Sequence, residues 1–221
     1  MKAMVLAAGR GERMRPLTDR MPKPLLPVGG RPLVAWQLEI LAAAGCRDII
    51  MNCAWQAEAL QAELGDGARW GVRIRYSREP WPALETGGGI FQALPLLGPR
   101  PFLLVNGDVY CEWSPAALRL APGMLAQLLL VPNPPHHPVG DFGLAGDLLQ
   151  PDARERFTYS GIALLDPALF AGCRPGRFPL APLLVEAAAR GKVGGVLHHG
   201  TWLDVGTPER LYALQARLGE A

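Results

Sequence analysis

The chain has 221 residues, 49% apolar and 19% charged, with 22 cations against 20 anions. That composition excludes a disordered chain and a generally basic nucleic-acid-binding surface, and no apolar run approaches the ~18 residues that cross a bilayer. Lys2 leads directly into Ala3–Ala7 without the basic cap and apolar stretch of a secretory leader, so a cytoplasmic protein is expected.

Ala3–Ala7 reads as a buried strand that breaks into glycine, and Leu33–Ala44 as a helix stopped by Gly45. Asp48–Cys53 is a second strand, Gln56–Leu64 a second helix, and Val72–Tyr76 a strand with one exposed face. Ile90–Leu97 follows three glycines as a short helix, and Phe102–Val105 is a fully apolar strand. This alternation predicts an α/β fold, a three-layer doubly wound arrangement around a mainly parallel, mixed, Rossmann-like sheet. The second half is less regular. Leu125–Val131 is a strand that runs into the proline-rich loop 132–138. Phe142–Gln150 is a hairpin around Gly146-Asp147, and Phe157–Leu165 is a strand. Leu180–Arg190 is a helix, Val193–His198 a strand, and Pro208–Leu218 a final helix with Thr207 as N-cap. No internal repeat occurs, and in particular no hexapeptide β-helix repeat, so residues 1–221 are expected to form one domain.

Cys46, Cys53, Cys111 and Cys173 form no C-x-x-C, and the four histidines are two adjacent pairs. This is neither a zinc pattern nor a disulfide framework; reduced, mostly buried thiols are expected. His136 and His137 read as exposed loop residues, and the scattered tryptophans as core or rim packing. Charge is concentrated locally: Arg10, Arg13, Arg15, Arg20 and Lys23 face only Glu12 and Asp19 within fourteen residues, which suggests a local anion site. Only three of the 22 cations are lysines, and one of them, Lys23, stands between two prolines.

The same segment carries the pattern G-x-G-x-R-x-x-P-L-T-x-x-x-P-K-P from Gly9 to Pro24. Glycines at the end of a buried strand let backbone N–H groups approach an anion. No Gly-Lys-Ser/Thr follows, and Met14 stands where a dinucleotide fingerprint needs its third glycine. Further along lie Leu84-Glu85-Thr86-Gly87-Gly88-Gly89, Val105-Asn106-Gly107-Asp108, Tyr159-Ser160-Gly161 and Trp202-Leu203-Asp204-Val205-Gly206-Thr207. Read alone, Asn106-Gly107-Asp108 is equally a turn, the glycine run equally a flexible loop, and Asp141 a solvated loop acid. Asp108 and Asp204 both follow strand-like segments, and two carboxylates with phosphate oxygens and water make a typical Mg²⁺ site.

Together these strings resemble the sugar-1-phosphate nucleotidylyltransferases along essentially the whole chain. The short form with Gly-Glu-Arg-Met, Asn-Pro-x-His-His and Gly-Asp-Phe is most similar to the branch that uses UTP and N-acetylmuramate α-1-phosphate in peptidoglycan recycling. The resemblance implies nucleotide binding by Ala7, Ala8, Gly9, Gly11, Glu85, Thr86, Gly87 and Asn106. It implies catalysis by Arg13 on the triphosphate and Lys23 on the reacting phosphates, with Mg²⁺ on Asp108 and Asp204. Sugar contacts fall to Asn106, Gly140, Asp141, Ser160 and Gly161. The implied partners are an NTP, with UTP expected, and a sugar 1-phosphate; monomer and dimer stay open. Two departures stand out. Glu12 replaces the family's Ser or Thr and is assigned no contact. No glutamine occurs in Ser77–Leu84 to read the base, which leaves Glu79 as the substitute. Guanylyl-, thymidylyl- and cytidylyltransferases on another sugar or alcohol phosphate are the near alternatives. A catalytically silent nucleotide-sugar-binding subunit is the distant one, and the joint presence of Arg13, Lys23, Asp108 and Asp204 argues against it.

Overall fold

The computed structural model describes residues 1–219. In chain order the strands and helices are β1 (Lys2–Leu6), β2 (Pro27–Val28), β3 (Arg31–Pro32), α1 (Leu33–Ala43), β4 (Asp48–Cys53), α2 (Ala57–Leu64), β5 (Arg73–Arg78), α3 (Glu85–Leu97), β6 (Phe102–Asn106), β7 (Val109–Cys111), β8 (Ala126–Val131), β9 (Gly143–Ala145), β10 (Leu148–Gln150), β11 (Thr158–Leu165), α4 (Ala181–Ala189), β12 (Val193–Leu197), β13 (Trp202–Asp204) and α5 (Pro208–Arg217). Nine strands form one sheet in the order β5-β4-β1-β6-β11-β8-β12-β10-β9. Only β11 and β10 run against the other seven, so the sheet is mixed and mostly parallel.

Strand alternation builds the layers. On β1, Ala3 and Val5 face a core shared with Val34, Leu38 and Leu41 of α1 and Leu60 of α2. Met4 points the other way, into a core with Ile90 and Leu97 of α3 and Leu184 and Ala187 of α4. A third, smaller core joins Met14, Val28, Leu33, Tyr110, Val205, Leu211 and Leu214, and so fixes α5 against β2 and α1. The four thiols are free; burial pushes that of Cys111 up to about 12, which leaves it inert.

Most expected elements stand where the patterns put them, and the differences have physical causes. α3 starts at Glu85 and not at Ile90, taking the three glycines into its first turns. A Cβ on Gly87 would lie 2.5 Å from Phe178, and one on Gly89 would meet Asn52 and Glu79. Close packing therefore selects glycine there despite its low helix propensity. Thr207 is the N-cap of α5, but its side chain makes no cap bond to the backbone. The sheet register shifts in β11 between Tyr159 and Ala163. The bulge contains Gly161 at φ +81°, and a Cβ there would sit 2.5 Å from Asn106 Nδ2.

Gly161→Ala should therefore combine a left-handed backbone penalty with displacement of Asn106. We expect Tm to fall by about 5 °C, the size of one to two kcal/mol in a chain of this length. Calorimetry decides; an unchanged melt would mean that the bulge is not constrained by Asn106.

Candidate active site

Parallel register brings three chain positions level at the carboxyl end of the sheet: Asn52 on β4 and Asn106 on β6 both pair with Leu6 on β1. Open α/β sheets bind ligands at that end. Asn52 is buried and works in two directions. Its Oδ1 accepts from Ala7 N at 2.7 Å, and its Nδ2 donates to Glu79 Oε1 at 2.7 Å. Glu79 Oε2 in turn accepts from Leu84 N at 2.8 Å. This relay ties the segment after β1 to the segment before α3, and those two segments wall a cleft of about 280 Å³.

The long motif is a loop that closes on itself. Gly11 adopts φ +66°, and a Cβ there would press on Thr18 Cγ2 at 3.1 Å and on the Lys23 stem at 3.2 Å. Thr18 Oγ1 donates to Gly11 O at 2.8 Å. The threonine and the lysine of the motif thus pack on its second glycine, which fixes the spacing. Met14 is a fully buried anchor in the third core, which explains why no glycine stands there. Glu12 and Arg13, its neighbours in a one-turn 3₁₀ helix, are exposed.

Lys23 is 8% exposed and its Nζ lies 2.5 Å from Asp108 Oδ2. It is therefore no surface lysine, and its stem is part of how the loop packs. Asp204 reaches the same place through a two-stranded ribbon. β13 pairs antiparallel with β7, so Asp204 stands opposite Val109, and Val205 N donates to Asp108 O at 2.9 Å. Both carboxylates line a polar cavity of about 370 Å³ with Arg13, His136, His137 and Ser160. His136 and His137 are more than loop residues: their Nε2 atoms lie 2.9 Å from Asp204 Oδ1 and 3.0 Å from Asp141 Oδ1. Arg210 Nη1 lies 2.6 Å from both oxygens of Asp204.

A third cavity, of about 390 Å³, is lined by Thr86, Gly140, Asp141, Phe142, Arg156 and Tyr159. Asp141 Oδ2 accepts from Tyr159 N at 2.8 Å. Asn106 lines all three cavities, and Asp108 two of them. The sequence-predicted residues Ala7, Ala8, Gly9, Gly11, Lys23, Glu85, Thr86 and Asp108 line the first. Arg13, Ser160 and Asp204 line the second, and Gly140 and Asp141 the third. Gly87 and Gly161 line none: Gly87 packs under Phe178, and Gly161 makes room for Asn106. Glu85 also pairs with Arg177 at 3.0 Å, and Thr86 Oγ1 accepts from Leu180 N at 2.9 Å. Sequence reasoning missed Asn52, whose signal is a polar residue near the end of an apolar strand, and Arg210, which carries no local signal.

Two carboxylates facing one cavity are hard oxygen donors suited to a divalent cation. Among the described residues no group of three or more His, Cys, Asp or Glu could hold a metal. A cation here would therefore need phosphate oxygens and water to complete its shell, which is the usual habit of Mg²⁺.

The chain is similar to known proteins in sequence and in fold. Residues 2–145 match the nucleotidyl transferase family model. The N-acetylmuramate alpha-1-phosphate uridylyltransferase of Neisseria meningitidis is 49% identical over 228 residues, covering 99% of each chain. Its namesake from Caulobacter vibrioides is 38% identical, over 99% of this chain and 97% of the relative. A mannose-1-phosphate guanylyltransferase of Mycobacterium tuberculosis is 41% identical, but over only 48% of this chain and 30% of its own. A solved Bacillus anthracis structure named for glucose-1-phosphate thymidylyltransferase shares the fold, with a TM-score of 0.85 at 21% identity, over all of this chain and 96% of the other.

Asn52→Ala should cost about 1–3 kcal/mol, because Glu79 and Ala7 N each lose a buried partner. Asn52→Asp should cost more at neutral pH, since it keeps the acceptor for Ala7 N but sets a carboxylate against Glu79. Urea midpoints at unchanged m-value test the ranking; Asn52→Asp as stable as wild type would contradict the relay.

Proposed function

The chain belongs to the nucleotidyl transferase family, and we propose that it transfers a uridylyl group from UTP to N-acetylmuramate α-1-phosphate, releasing pyrophosphate. The observation that carries the reading is the 49% identity to a uridylyltransferase of that substrate across 99% of both chains. The guanylyltransferase match covers only about half of this chain and therefore speaks for the shared chemistry, not for the sugar. The proposed catalytic unit is one domain over residues 1–221. The reaction places the protein in cytoplasmic peptidoglycan recycling. Among the described residues no helix is long and apolar enough to cross a membrane.

The acceptor's phosphate oxygen is already an anionic nucleophile. It attacks the α-phosphorus of UTP in line, a new P–O bond forms, and the bond to the β-phosphate breaks. No proton has to move, so no Ser, Cys or His needs activation. Catalysis reduces to holding two anionic substrates in register and neutralising charge. The first cleft, walled by Ala7–Gly11 and by Glu79 to Thr86, takes the nucleotide. Glu79 offers its remaining lone pairs to a base N–H, while its fixed bonds to Asn52 and Leu84 N keep the carboxylate in place. Gly9 has open space where a Cβ would stand, so the backbone there can approach phosphate. Arg13 faces the neighbouring polar cavity and meets the leaving pyrophosphate. Lys23 supplies a compact charge to the reacting phosphates. Asp108 and Asp204 would hold Mg²⁺, which would supply charge neutralisation at the reacting phosphates. The third cavity takes the sugar, with Asp141 held by His137 and Tyr159 N as a fixed acceptor for a hydroxyl or amide N–H.

A pyrophosphatase-coupled phosphate assay with five NTPs and several sugar 1-phosphates tests the substrate pair. UTP with N-acetylmuramate α-1-phosphate should give the highest kcat/KM; a clear preference for glucose 1-phosphate, GTP or dTTP would refute it. In the same assay Lys23→Ala should lower kcat about 10²–10³-fold, the usual loss for one preorganised charge donor. Lys23→Arg should lose nearly as much, because the stem is packed against Gly11 and a guanidinium demands a planar two-point partner in place of a compact charge.

A further inference from the structure

We propose that Arg210 is the resident cation of Asp204, occupying the position a metal ion takes on that carboxylate, so that metal binds only by displacing it. The inference rests on reading Asp204 as a metal ligand.

The geometry of the contact is unusual for arginine. A guanidinium normally meets a carboxylate as a fork, two nitrogens on two oxygens. Here one nitrogen, Nη1, is equidistant from Oδ1 and Oδ2 at 2.6 Å. That puts the charge on the bisector of the carboxylate, where a bidentate metal ion sits. His136 Nε2 stands 2.6 Å from the same Nη1 and 2.9 Å from Asp204 Oδ1, so the imidazole crowds the contact from the side. Such an end-on contact holds less firmly than a fork and yields to a better cation.

Two features show that the placement is specified. Arg210 is the third residue of α5, where the positive end of the helix dipole makes a cation unfavourable. Its position therefore serves Asp204 and not the helix. Space for the guanidinium comes from Gly206: a Cβ there would collide with Arg210 Nη2 and Cζ. No positive φ requires glycine at 206, so the side-chain clash is what an alanine would meet.

The consequence is a threshold on metal binding. The free protein carries its own neutralising charge on Asp204, which suppresses metal binding until a nucleotide adds phosphate oxygens to the shell.

The test is Mn²⁺ binding to the full chain without nucleotide, followed by electron paramagnetic resonance. Arg210→Met keeps the stem and removes the charge. Gly206→Ala keeps the charge and pushes it off Asp204. Both should tighten Mn²⁺ binding by roughly tenfold or more, the size of one charge-assisted contact. Asp204→Asn should abolish it. If Arg210→Met does not fold, tighter binding by Gly206→Ala alone supports the proposal. Unchanged or weaker binding in the folded variants, with binding lost in Asp204→Asn, overturns it while leaving Asp204 a ligand. Wild-type binding in Asp204→Asn overturns the ligand reading and the proposal with it.

Discussion

Two carboxylates, Asp108 and Asp204, line one cavity at the end of the sheet, and pairing each with its own cation is the constraint from which much of the architecture follows. Lys23 arrives from 85 residues away in sequence and Arg210 from six. Delivering Lys23 requires the loop after β1 to turn back, and Gly11, Thr18 and Met14 are the residues that turn it. Delivering Asp204 requires the β7–β13 ribbon, and that ribbon needs the third core under α5 to hold it.

The glycines of the motif divide along the same line. Gly11 is packed by Thr18 and Lys23 on the protein side, so its role is internal. Gly9 has nothing within 4 Å of the Cβ position, so its backbone is bare toward the cleft. A pattern written as two equivalent glycines is thus one glycine packed into the fold and one left open beside the cleft. Asn52 and Glu79 make the opposite wall rigid, because each buried polar atom in that relay depends on the next.

How far the sequence could be read follows from the range of the forces involved. β4 is found at Asp48–Cys53, as its apolar run predicts, and the β9–β10 hairpin turns at Gly146-Asp147. Both are set by local pattern and turn chemistry. The start of α3 was not legible, since three glycines argue locally against helix, and only the packing of Phe178 and Glu79 against them reverses that. β7 and β13 have three residues each, too few to show a period. The pairing of His136 and His137 with Asp204 and Asp141 joins segments that no local pattern links. Most candidate site residues were nevertheless legible, because motif spacing records loop closure: the twelve positions from Gly11 to Lys23 are what the turn through Met14 and Thr18 takes to return.

The location of the site is a consequence of strand order. From β1 the chain moves outward to β4 and β5 on one side, then returns to lay β6 on the other. The loops leaving β1 and β6 therefore part in opposite directions, and a crevice opens between them at Leu6 and Asn106. Beyond β6 the direction reverses, because β11 runs antiparallel. Its bulge at Gly161 sits against Asn106, so the antiparallel half of the sheet meets the parallel half at that one side chain. Asn106 lines all three cavities for this reason. On the proposed reading, a nucleotide on the parallel side and a sugar phosphate on the antiparallel side would come face to face at the edge where both halves of the sheet end, with Asp108 two residues further along the chain.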